Sequence, residues 1–202
     1  VRAVMAAEKE DGVLVTLCSA RPNVLKRVND DMKNDPDFAF KVNNYMKPEV
    51  PYAGGTKVVH YLELLRDTVG FDRLAEKVVK PFTGRKIAAY YGCLLLRPGK
   101  VLAMDDPENP KIMEDFIRAI VGAEPVVYPY RNECCGGYVT LEDKAFAARK
   151  SGEITDSASG FGAELLITAC PLCLYNLNRA DGHGTEVHYF TELLAEALGV
   201  KE

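Results

Sequence analysis

Six cysteines are the residues in this 202-residue sequence best suited to chemistry: Cys18, Cys93, Cys134, Cys135, Cys170 and Cys173. Five lie towards the C-terminus: one cysteine, 40 residues, an adjacent pair, 34 residues, then Cys-Pro-Leu-Cys. Thiolates bind soft and borderline metals and exchange disulfides. Five exceed the four ligands of a structural zinc ion or a cubane iron–sulfur cluster. Successive side chains tend to diverge, so Cys134 and Cys135 suit different irons of a multinuclear cluster better than one tetrahedral ion. Gly136 and Gly137 leave space for backbone N–H groups beside sulfur, which tunes a cluster's potential. Cys170-Pro-Leu-Cys173 reads as a helix N-terminus, where the dipole favours thiolate. Zinc binding and a thioredoxin-like dithiol remain open, although a dithiol leaves Cys93, Cys134 and Cys135 without a role.

The remaining candidates have blander readings. Cys18 reads as a small core residue or a relic. His60 and His188, ahead of two helices, read as capping or core residues, and His183 as a surface-turn residue. The acidic loop Asp105–Asn109 reads as a helix-capping loop, with Asn109 as N-cap and Pro110 at the first helical position.

The elements that must position these groups alternate. Strands are expected over 13–18 (buried, ending at Cys18), 86–91, 125–128 and 164–169. Helices are expected from about 23, near 38–46, and over 58–69, 71–79, 112–121, 141–151, 154–162, 174–179 and 190–198. This pattern predicts an α/β fold with small, mainly parallel sheets flanked by helices. Each C-terminal cysteine group follows a strand, and open parallel sheets place ligand sites beyond the carboxyl ends of strands. The five thiols are therefore expected to converge.

An internal repeat is also visible. Val13-Leu-Val-Thr-Leu-Cys18 matches Leu165-Leu-Ile-Thr-Ala-Cys170, and Val59-His-Tyr-Leu-Glu-Leu-Leu65 matches Val187-His-Tyr-Phe-Thr-Glu-Leu-Leu194 with one insertion. The first copy lacks its beginning, and Cys18-Ser-Ala-Arg21 stands where the second has Cys170-Pro-Leu-Cys173. Residues 1–83 thus read as a partial, degenerate first unit with a helical linker, and 84–202 as the complete unit. The chain opens with Val1, which reads as a processed, trimmed or partial N-terminus.

Composition sets the outer limits. Hydrophobic residues make up 48% and charged residues 27%, the balance of an ordinary globular chain. The net charge of −4 argues against nucleic-acid and anionic-membrane surfaces, and no apolar stretch reaches membrane-spanning length. With no secretory signal, a reducing, cytoplasmic location is expected, where clustered cysteines bind metal or catalyse.

Cys93, Asp-Asp-Pro-Glu-Asn-Pro at 105–110, Cys134-Cys135-Gly136-Gly137, and Cys170-Pro-Leu-Cys173 followed by Asn176-Leu177 together resemble the cysteine-rich CCG domain. Within that family the pattern is most similar to the B-type subunit of heterodisulfide reductases. Related domains occur in succinate dehydrogenase, fumarate reductase and lactate- or glycolate-oxidising complexes. The resemblance implies one noncubane [4Fe–4S] cluster on Cys93, Cys134, Cys135, Cys170 and Cys173. It implies reductive cleavage of a small disulfide, such as the mixed disulfide of coenzymes M and B. The implied partners are an iron–sulfur subunit (C-like) and a flavin subunit (A-like). The family has two facing clusters. With only Cys18 left in copy one, the expectation is one cluster, with the missing piece upstream or on another polypeptide. Arg21 would place a cation near the cluster or an anionic substrate. A non-catalytic electron-transfer or assembly module is the competing reading.

Overall fold

The computed structural model describes residues 1–10, 12–181 and 184–200, so the expectation for His183 lies outside the described residues. The first half contains α1 (Arg2–Lys9), β1 (Leu14–Thr16), α2 (Ala20–Asn34), α3 (Pro36–Met46), β2 (Val58–His60), α4 (Tyr61–Leu64) and α5 (Phe71–Ala75). The second contains β3 (Lys86–Tyr90), α6 (Gly99–Leu102), α7 (Ile112–Phe116), β4 (Glu124–Val126), α8 (Lys144–Gly160), β5 (Leu165–Thr168), α9 (Pro171–Leu177), β6 (Glu186–Tyr189) and α10 (Phe190–Ala197). Among the described residues every strand pairing is parallel. β1 and β2 form a two-stranded sheet, and the second sheet has the order β4-β3-β5-β6.

Alternation along β3 and β5 builds two cores on opposite faces of the larger sheet. Ile87, Ala89 and Tyr91, with Leu165, Ile167 and Ala169, face α7, α10 and α4 through Phe116, Ile117, Phe190 and Leu62. Ala88, Tyr90, Leu166 and Cys170 face the other way, towards Ile154 and Ala158 of α8 and Cys173 and Leu177 of α9. Strands buried on both faces read as continuous apolar runs, which is why 165–168 is legible. The apolar stripe from Ile112 to Val121 is buried as expected, and the helix widens into a π turn at Ile117–Val121 before stopping at Gly122.

Several boundaries differ from those expected. α2 begins at Ala20 because Pro22 is tolerated in a first turn, whose N–H groups have no intrahelical partner. The two helices expected over 141–162 are one, α8, since Gly152 does not break it. A Cβ at Gly152 would collide with the Asp181 carbonyl, so glycine is there for a close approach. Helix 58–69 loses its first turn to β2. Residues 13–18 are not a buried strand: Val13, Val15 and Leu17 are 48%, 40% and 53% exposed. Their repeat counterparts, Leu165, Ile167 and Ala169, are covered by the α7 and β3 side chains, and no described element plays that part over β1.

The repeat survives in three dimensions. Thr16 pairs with His60 across β1 and β2, as Thr168 pairs with Tyr189 across β5 and β6. Cys18 therefore corresponds to Cys170. The counterpart of His60 is Tyr189 and not His188, because the inserted residue shifts the helix start by one.

Candidate metal centre

Each cysteine sits just beyond a strand. Cys93 follows β3, Cys134 and Cys135 follow β4 through a 3-10 turn at Pro129–Asn132, and Cys170 follows β5 as the N-cap of α9. Cys173 lies in the first turn of α9, and Cys18 lies two residues beyond β1. The parallel registers bring these ends together. Cys135 Sγ is 3.6 Å from Cys173 Sγ. Cys93 neighbours Cys134, Cys173 neighbours Cys170, and Cys170 neighbours Cys18, each closely enough to shift the other's pKa. All five expected cysteines thus lie beyond neighbouring strand ends of the larger sheet, and Cys18 packs beside them. Cys18 is half-buried and packs against the core containing Cys135, Cys170 and Cys173.

Protons are unevenly shared along the strip. The Cys173 thiol pulls Cys170 far below the usual thiol value, helped by Cys18 and by the N–H groups of Cys173 and Leu172. Hydrogen bonding from Cys93 lowers Cys134 to about 6, and hydrogen bonding from Cys173 lowers Cys135 to about 7. The donors Cys93, Cys173 and Cys18 move up correspondingly, and burial adds to each. The three lowered groups are the ones that lose their protons most readily to a metal, which suits ligation.

The glycines fit the same purpose. The backbone N–H groups of Gly136 and Gly137 help to lower the pKa values of Cys134 and Cys135. Gly92 has φ +63°, and a Cβ there would stand 3.2 Å from Cys173 Sγ. Among the described residues no three His, Cys, Asp or Glu side chains surround one point closely enough for a single ion. A gathering of thiols with an amide donor, Asn176 Nδ2, 3.6 Å from Cys135 Sγ matches the chemistry of an iron–sulfur core with several metal atoms.

Some supporting residues carry little signal in the sequence. Glu114, 2% exposed, pairs with Arg131 and accepts from the Tyr91 hydroxyl. The Arg131 carbonyl accepts from Tyr91 N and Gly92 N at 2.8 and 3.4 Å, which ties the Cys93 arm to the Cys134 arm. A glutamate on an otherwise apolar helix face is the only local sign of this pair. Asn109 is not an N-cap: its Oδ1 accepts from Arg131 at 2.7 Å, and Asp105 Oδ2 caps Lys111 N and Ile112 N instead. Asn176 Nδ2 lies 3.6 Å from Cys135 Sγ and 3.3 Å from the Gly137 carbonyl. His60 caps α4, with Nδ1 accepting from Leu62 N at 3.1 Å. His188 instead sits half-buried beside Glu186 and Glu192 at 3.1 and 3.4 Å. Arg21 lines a shallow groove of about 330 Å³ with Cys18, Leu17 and Pro171. No described helix is long and apolar enough to cross a membrane.

Comparison with known proteins follows the same pattern. The CCG cysteine-rich domain family matches residues 87–178. The chain is 30% identical over 178 residues to the 8-methylmenaquinol:fumarate reductase membrane anchor subunit of Wolinella succinogenes, covering 88% of this chain and 61% of that one. It is 26% identical over 212 residues to the B-type subunit of the ferredoxin:CoB-CoM heterodisulfide reductase of Methanosarcina mazei, covering 98% and 69%. The B-type subunit of a ferredoxin/F420H2-dependent CoB-CoM heterodisulfide reductase from Methanosarcina acetivorans is 27% identical, with the same coverage. The chain thus spans 61% to 69% of the length of these relatives. The crystal structure of a hypothetical protein from Helicobacter pylori shares the fold at a TM-score of 0.62 and 14% identity, over 86% of this chain and 32% of that one. Residues 87–178 match the CCG cysteine-rich domain family, and over most of its length the chain is homologous to the B-type subunit of heterodisulfide reductase.

Proposed function

We propose that this chain is an iron–sulfur redox subunit that passes electrons from a partner iron–sulfur protein to a small disulfide. Residues 84–202 would be the cluster-binding unit and 1–83 a degenerate repeat that holds no cluster of its own. Cys93, Cys134, Cys135, Cys170 and Cys173 would hold one noncubane [4Fe–4S] cluster. The single observation that carries the reading is the gathering of the cysteines beyond three neighbouring strand ends, with Cys135 Sγ 3.6 Å from Cys173 Sγ. Bound there, the cluster supplies one-electron chemistry and iron that can take a substrate sulfur. The chain's own residues do the rest. Cys170 sits at the N-terminus of α9, where the N–H groups favour the thiolate. The backbone of Gly136 and Gly137 helps lower the pKa values of the Cys134–Cys135 pair, and Asn176 Nδ2 lies 3.6 Å from Cys135 Sγ. A C-like iron–sulfur subunit and an A-like flavin subunit are the implied electron donors, and a reducing compartment such as the cytoplasm would keep the thiols available.

One observation favours a second reading. Cys170 and Cys173 lie at the start of α9, where Cys170 is held well below the usual thiol value, as in a metal-free dithiol oxidoreductase. The substitution Cys134→Ser separates the two. Disulfide turnover with an artificial low-potential donor should be lost in the variant if a cluster is required, and retained if the dithiol suffices. No turnover even by the iron-loaded wild type would leave an electron-transfer or assembly module without chemistry of its own.

A further inference from the structure

Helix α9 presents two groups to one sulfur. Cys173 and Asn176 are three residues apart, so they share a face of the helix. Cys173 Sγ lies 3.6 Å from Cys135 Sγ, and Asn176 Nδ2 donates to the same Cys135 sulfur, also at 3.6 Å. That amide nitrogen lies 3.4 Å from the Cys135 carbonyl oxygen and 3.3 Å from the Gly137 carbonyl oxygen. Carbonyl oxygens only accept, so these two contacts fix which end of the amide faces the cysteine loop. Asn176 is 3% exposed, and its Oδ1 has no hydrogen-bond partner among the described residues. An unpaired buried acceptor costs free energy, so packing alone favours an apolar residue here. The loop also has other holds. Ser151 Oγ of α8 donates to the Cys135 carbonyl at 3.1 Å, and Gly136 packs so tightly on α8 that a Cβ there would stand 3.0 Å from Ala147.

We infer that Asn176 is a positioning residue for the metal centre, one whose amide N–H donates to the Cys135 sulfur and raises the reduction potential of the group Cys135 holds. A hydrogen bond to a ligating thiolate offsets part of its negative charge and favours the more negative, reduced state. Asn176 is not a ligand in this account, because the end of its amide that faces the sulfur is the donor. One helix turn thus supplies both a thiol, Cys173, and the donor that tunes the thiol opposite it. The inference rests on the cluster reading above.

The test uses the full chain, purified without oxygen, as wild type, Asn176→Leu and Asn176→Gln. Iron and sulfide per chain and the far-ultraviolet circular dichroism are measured first, then the midpoint potential by redox titration followed with electron paramagnetic resonance. Equal iron in all three is expected. Asn176→Leu, similar in size but without a donor, should shift to lower potential, with the oxidised-to-reduced ratio at a fixed applied potential changing about tenfold, or about 59 mV for a one-electron couple. Asn176→Gln keeps an amide donor and should lie closer to wild type. If leucine disturbs the fold, Asn176→Ala removes the donor with less bulk. An unchanged potential in a loaded, folded donor-less variant overturns the inference alone. A glutamine variant as low as the leucine one overturns it too, because packing and not the donor then sets the shift. Loss of iron from every folded donor-less variant also overturns it, by making Asn176 part of the framework that holds the ligands. A wild type without iron removes the cluster reading and this inference together.

Discussion

His60 and Tyr189 occupy the same position in the two repeats, and each reaches across to the other repeat's cysteine-bearing strand end. His60 Nε2 lies 3.1 Å from the Ala169 carbonyl, and the Tyr189 hydroxyl donates to the Leu17 carbonyl. Each residue also begins a helix, with its backbone N–H held by the glutamate three positions on, Glu63 or Glu192. The crossed pair ties the ends of β1 and β5 together beside Cys18 and Cys170.

His60 makes stability depend on pH. Its Nδ1 accepts from Leu62, so Nε2 carries the proton that Ala169 accepts, and a second proton would break the cap. Burial lowers its pKa from 6.5 to about 4. The folded value lies below the unfolded one, so the contribution is whole above pH 6.5 and drains away as pH falls towards 4. That fall corresponds to roughly 3 kcal/mol at most. Denaturant titrations at about pH 7.5 and about pH 4.5, on either side of the window in which the histidine takes up its proton, should show this loss in wild type and a smaller one in His60→Gln.

The Glu114–Arg131 pair predicts a large mutational cost. Both side chains are buried, so Arg131→Ala leaves a carboxylate in the core without its counter-ion. The expected destabilisation is about 3–5 kcal/mol. Replacing both residues with apolar ones should cost far less, and a double-mutant cycle in urea would read the difference.

Gly92→Ala should damage the centre more than the fold. The substitution puts a Cβ at φ +63° and 3.2 Å from Cys173 Sγ. The backbone penalty is about 1–2 kcal/mol, within the stability of an ordinary domain. Iron retained per chain after anaerobic purification should fall well below wild type, while the far-ultraviolet circular dichroism stays unchanged.

What is legible in the sequence is what local pattern determines. The doubly buried strands β3 and β5 declare themselves as apolar runs, and cysteines placed just after strands must gather at one sheet edge once the strands are parallel. Less legible are features decided by packing between distant segments. Gly152 looks like a helix break until Asp181 is found against it. Asn109 looks like a cap, but Arg131 claims its side chain. Val15 looks like a core residue because nothing local reveals that its covering layer is missing. Cys18 looks inert for the same reason: the core it packs against, with Cys170 in it, lies far along the chain, and only the pairing of the repeats brings them together.

Metal and acid-labile sulfide analysis of the full chain, purified under strict anaerobiosis, tests the central claim most directly. The account predicts brown protein with about four irons and four sulfides per chain. Colourless protein holding one zinc per chain, or no metal at all, would contradict it.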